Sequence, residues 1–197
     1  FSGAEKITVI FKVPETIAVA RTFAPFLLCI LTAMTATTPS VISMEGQNLW
    51  QLKVLPVDAR VVFFAKIMVN LVLTIPAIAC NATLLIIVLR PDFWLGLLYY
   101  LLPAVCGIFT AQAGLITNLI WPNLEWRNEA QVIKQSLPVM INILGGMAIT
   151  ILPATIVLNL AQGQRIALLV IAGLYALAAY FSYQWLSIKG VKKFYLL

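Results

Sequence analysis

Apolar residues occur in this chain as long unbroken blocks, not in the alternation of strands or the one-sided stripe of soluble helices. Five blocks, 23–42, 67–89, 93–120, 137–160 and 166–186, contain no Asp, Glu, Lys, Arg or His. Each supplies the roughly 20 residues a helix needs to cross a hydrocarbon layer ~30 Å thick. The pattern predicts an all-α membrane protein, a polytopic bundle of five visible transmembrane helices. Ahead of the first block, Ile7, Val9 and Phe11 alternate with more polar neighbours like a short strand, and Pro14 with Glu15 reads as a helix start. From there one helix is expected to run to Ser43, ~45 Å long and so longer than the membrane is thick. The expected organisation is an external or re-entrant segment over 1–22, a transmembrane domain over 23–188 and a basic tail over 189–197.

Composition strengthens this reading. Of 197 residues, 62% are hydrophobic and 10% charged, with a mean hydropathy of +0.99, which leaves too little polar surface to cover a soluble core. The net charge of +6 would suggest a nucleic-acid partner in a soluble protein, but here the basic residues flank the blocks and topology explains them. Lys53, Arg60 and Lys66, then Arg127 and Lys134, then Lys189, Lys192 and Lys193 fall on one side, against Arg90 and Arg165 on the other. By the bias of basic residues toward the cytoplasm, 44–66, 121–136 and the C-terminus are expected to be cytoplasmic. Lys6, Lys12 and Arg21 run against that bias. Cys29, Cys80 and Cys106 all lie inside the blocks and are expected to pack as small residues.

Chemistry is sparse. There is no histidine, and the seven acids are scattered over the connections, so neither a catalytic cluster nor a metal shell is expected and the chain does not read as an enzyme. The blocks also lack the ionisable groups on which proton- and cation-driven carriers rely. A separate energy source fits better, yet no GxxxxGK[ST] phosphate loop occurs in the chain. Uncharged polar residues within the blocks, including Asn70, Asn118 and Asn142, are expected to bond neighbouring helices at about 0.6 kcal/mol each.

Two connections carry more information. In the first, Leu49, Leu52 and Leu55 recur at helical spacing with Trp50 and Val54 alongside, opposite Gln47, Gln51 and Lys53. Pro56 ends that short helix and Asp58 is placed to cap the next. Such a helix serves either as an interfacial anchor, with Trp50 at headgroup depth, or as a piece that fits a groove on a cytoplasmic partner. In the third connection Trp121 and Trp126 flank Pro122, and Glu125, Arg127, Glu129 and Lys134 follow on an expected helix that re-enters the membrane at Leu137. Glu125 and Glu129 would then be a like-charged i, i+4 pair in want of a cation.

The run SMEGQNLWQLKVLPVDARVVFFAK resembles the second-to-third span connection of ABC-2 type transporter permeases, and NLIWPNLEWRNEAQVIKQS is similar to the corresponding later loop of bacterial members. The resemblance implies a transmembrane permease subunit of an ABC transporter, an exporter in the bacterial cytoplasmic membrane. A separate ATPase subunit would bind ATP and Mg, leaving no cofactor in this chain. A second permease copy or half would complete the pathway. It also implies that Glu45, Gly46, Leu49, Trp50, Lys53, Leu55 and Pro56 form the helix that couples to the ATPase, with Trp121, Glu125, Trp126, Arg127, Glu129 and Lys134 in the second cytoplasmic loop. Six spans are usual in that group, so one more is expected before the five seen here. A membrane scaffold that recruits a cytoplasmic partner, and a passive channel, are the alternatives.

Overall fold

Backbone polar groups in an apolar surrounding need partners within their own segment, and the blocks accordingly fold as helices. A computed structural model describes residues 13–54, 56–126, 129–134, 136–160 and 162–197, and among these no strand occurs. Helix α1 spans Val13–Met34 and is followed by a 3₁₀ turn, Ser43–Asn48, and short α2, Leu49–Val54. Then come α3, Ala59–Leu89, and α4, Phe93–Ile120. Short α5, Glu129–Lys134, precedes α6, Leu137–Asn159, and α7, Gln164–Trp185. A π-helical turn, Leu186–Gly190, leads into α8, Val191–Leu196. Five of these stretches are long and apolar enough to cross a membrane: Thr16–Met34, Ala59–Leu89, Phe93–Ile120, Leu137–Asn159 and Gln164–Leu196.

Helix α4 is the centre of the bundle and packs against α1, α3, α6 and α7. Because lipid is as apolar as leucine, the hydrophobic effect does not separate inside from outside here, and exposed Val72, Leu84, Leu144 and Leu174 form an ordinary lipid-facing surface. Close approach holds the helices instead. A Cβ at Gly146 would lie 2.6 Å from Ala33 Cβ, and one at Gly114 would lie 2.6 Å from Thr38 Oγ1. Buried Cys29 and Cys106 pack in the same core as Phe26, Tyr99 and Leu102, whereas Cys80 is exposed and takes no part in it.

Polar contacts mark the two ends. At one, Arg21 Nε donates to the Leu89 carbonyl at 2.7 Å and Tyr99 donates to the Arg21 carbonyl at 2.8 Å. Arg165 pairs there with Asp92 at 3.1 Å, joining the two short connections. The other end, the joint end, holds both long connections and the C-terminal turns.

Two expectations change. The rod to Ser43 is not continuous, since α1 stops at Met34 and the first span is Thr16–Met34 instead of 23–42. Pro39 has no N–H to give and disfavours helix in the residue before it, and Thr35 Oγ1 bonds the Leu31 carbonyl at 2.8 Å just past the last turn. The structure adds detail to the basic tail over 189–197. Helix continues through it, and Phe194 is buried edge-on against Phe63 with ring centroids 5.6 Å apart. The strand-like Ile7–Phe11 stretch lies outside the described residues.

Gly145 and Gly146 test how much of the packing rests on close approach, because nothing lies within 4 Å of a Cβ at the first while Ala33 blocks the second. Gly146→Ala is expected to destabilise the bundle by about 1–3 kcal/mol through overpacking. Gly145→Ala should be neutral or slightly stabilising in thermal unfolding of the detergent-solubilised chain.

Candidate functional site: the joint between the two long connections

Where α1 stops, the chain must find new partners for its backbone N–H groups, and it finds them on side chains from other helices. Asn70 of α3 accepts from Thr37 N at 2.8 Å and from Thr37 Oγ1 at 3.1 Å. Asn118, two residues from the end of α4, accepts from Ile42 N at 2.7 Å and Ser43 N at 3.1 Å. Its Nδ2 donates to Ser43 Oγ at 2.6 Å, so both ends of one buried amide hold the same turn. These two asparagines therefore do more than join helices: they cap a break in one.

Ser43 extends the contact to the third connection. Its hydroxyl accepts from Asn123 N at 2.9 Å, and its carbonyl accepts from Trp126 Nε1 at 2.7 Å. Gly46 lies under the same indole with φ +51°, where a Cβ would come within 3.0 Å of Nε1, so both the backbone and the space call for glycine. On the other flank, Glu45 forms an ion pair with Lys66 of α3, both side chains about three-quarters enclosed. Asp58 caps α3 through Arg60 N at 2.9 Å. The first long connection is thus tied to α3 by Asn70 and Lys66, and to α4 and the third connection by Asn118 and Trp126.

Between these ties sits α2. Leu49 is buried beside Ile42, Ala59 and Phe63, and Leu52 is partly buried against the same core. Trp50 and Val54 do not share that face as the sequence suggested. They are 61% and 73% exposed, with Gln51 and Pro56 also exposed and Lys53 half-buried. A six-residue helix cannot bury all its apolar positions on one core, and the leucine stripe has taken the inner side. Leu55 lies outside the described residues.

The third connection is also corrected. Residues 121–126 are not helical, so Glu125 and Glu129 are not an i, i+4 pair on one helix. Glu125 is exposed, Trp121 is 47% exposed and Trp126 is half-buried in the joint. Arg127 lies outside the described residues, as do the side chains of Glu129 and Lys134. Sequence reasoning passed over Ser43 and Asn123 and gave Asn118 only a helix-packing role. A polar amide within one turn of the end of an apolar span was the available signal for Asn118. Comparisons with known protein families, with curated proteins and with solved structures find no match to this chain.

Asn118→Leu leaves the Ile42 and Ser43 N–H groups without partners and is expected to cost about 2–4 kcal/mol, since unpaired buried donors carry the desolvation penalty. Asn81, exposed and bonded only within its own helix, is the control, and Asn81→Leu should stay within ~0.5 kcal/mol. Thermal unfolding measures both. Limited proteolysis should also show new cleavage between Ser43 and Asp58 in the Asn118 variant only.

Proposed function

We propose that this chain is the membrane-spanning subunit of an ATP-driven transporter of the ABC-2 type, an exporter in a bacterial cytoplasmic membrane. The joint end would face the cytoplasm and α2 would seat in a groove on a separate ATPase subunit, which binds ATP and Mg. A second copy of the chain, or a second half, completes the pathway. The observation that carries the reading is the pairing of exposure with anchorage. α2 turns Trp50 and Val54 outward while the stretch that leads into it is fixed by polar contacts to α3 and α4. A push on that outward face is passed back through the anchored stretch to two spans at once.

Electrostatics supports the same division of labour. The five apolar blocks contain no Asp, Glu, Lys, Arg or His for an ion gradient to act on, whereas the ion pair of Glu45 with Lys66 lies at the joint. In this reading Trp50 is the anchor in the ATPase groove, consistent with the weight that exposed tryptophans carry at interfaces once covered. Glu45 and Lys66 serve as the strut behind it.

Reconstitution with the partner ATPase in lipid vesicles tests this. Trp50→Ala is expected to leave the chain folded, because the side chain is largely exposed, but to weaken complex formation by about 2 kcal/mol, near thirtyfold. Glu45→Lys should preserve the complex yet uncouple hydrolysis from transport, and the exchange Glu45→Lys with Lys66→Glu should restore part of it. Unchanged assembly and unchanged coupling in both single variants would refute the assignment.

A further inference from the structure

A second feature lies on the joint end, where α3, α4, α7 and the π-helical turn leave a cavity of about 390 Å³. Its walls are mostly apolar, among them Phe64, Met68 and Ile108, while Arg60, Tyr183, Ser187 and Gln112 also line it. None of these four polar side chains has a hydrogen-bond or ion-pair partner among the described residues. Gln112 is the telling one. Its side chain is only 8% exposed and its Oε1 is buried without a partner, a costly arrangement unless something else enters. The outer wall is formed in part by Leu186 and Ser187 of the π-helical turn, a distortion that often accompanies functional sites in helices.

We propose that this cavity is a binding site for an anionic phospholipid drawn from the bilayer. Arg60 stands at the start of α3, where the span emerges, and is an unpaired cation beside an apolar groove. That combination suits a molecule with a negative head and a hydrocarbon tail. Free phosphate would satisfy Arg60 and leave the aromatic and aliphatic walls bare; an uncharged hydrocarbon would fill the walls and leave Arg60 and Gln112 unmet. A phospholipid meets all of them. Its phosphate pairs with Arg60 within reach of the Tyr183 and Ser187 hydroxyls, one acyl chain lies against Phe64, Met68 and Ile108, and an ester carbonyl accepts from the Gln112 amide. The two ends of that amide exchange places by rotation about its terminal bond. The site does not depend on the transporter reading, because it requires only that the chain lie in a bilayer.

Native mass spectrometry of the detergent-purified full chain, offered phosphatidylglycerol or phosphatidylcholine with identical acyl chains, tests the proposal. The unaltered chain is expected to retain phosphatidylglycerol in preference. Arg60→Gln, at an exposed position that disturbs no core, should lower that preference about fivefold, the worth of one basic side chain beside anionic lipid. Gln112→Leu should weaken retention of both lipids alike, since both carry the ester, and Ser187→Trp should expel both by filling the groove. Melting curves confirm that each variant is folded. The proposal is overturned if the unaltered chain shows no preference. It is equally overturned if the preference survives Arg60→Gln and disappears only on replacing Lys192 and Lys193 by Gln, which would locate the contact on the tail.

Discussion

The structure depends on how the chain satisfies its backbone N–H groups where helix α1 ends. Inside a bundle that presents mostly hydrocarbon, an unwound segment has no water to fall back on, and each unpaired donor would cost free energy comparable to a lost hydrogen bond. Asn70 and Asn118 supply the missing acceptors from two different helices, 33 and 76 residues away from the groups they serve. Once those amides are in place the connection has only one path, and Ser43, Glu45 and Gly46 are delivered to Trp126 and Lys66 as a consequence. The direction in which α2 faces follows from the same fixings.

Much of this was legible in the sequence, and the reason is the solvent. Charge-free blocks of this length have few folds open to them in lipid, so the five helices and the side shared by the long connections follow from spacing alone. Asp58 as a cap was legible too, since the carboxylate, the preceding proline and the following apolar run form a local pattern. What failed was whatever depended on partners distant in the chain. The break at Met34 precedes a proline that local reasoning tolerates within a membrane helix, and the asparagines on α3 and α4 that receive the unwound N–H groups are distant in the chain.

The candidate site was read half correctly for a similar reason. Glu45, Gly46 and Trp126 were singled out in two separate connections, and the structure brings them to one place, yet the residue between them, Ser43, had no signal of its own. A lone serine at the end of an apolar block is unremarked until its hydroxyl and carbonyl are seen to take donors from a helix and a loop. Trp50 was expected beside the leucines because periodicity over six residues separates faces poorly. The core at Ile42 and Phe63 has room for Leu49 and Leu52 only.

The π-helical turn at Leu186–Gly190 sets the azimuth of everything after it. A turn that holds one residue more than an α-helix rotates the downstream helix by about 100° relative to an uninterrupted one. That rotation carries the Phe194 ring inward onto Phe63 and leaves Lys192 facing outward. Gly190 lets the wall of α3 and α4 come close at the same point, since a Cβ there would meet Phe63 and Leu119 at 3.4 and 3.6 Å. The winding of this turn therefore decides which side of the last helix meets the bundle: wound as ordinary α-helix over the same residues, it would swing the Phe194 ring about 100° away from Phe63.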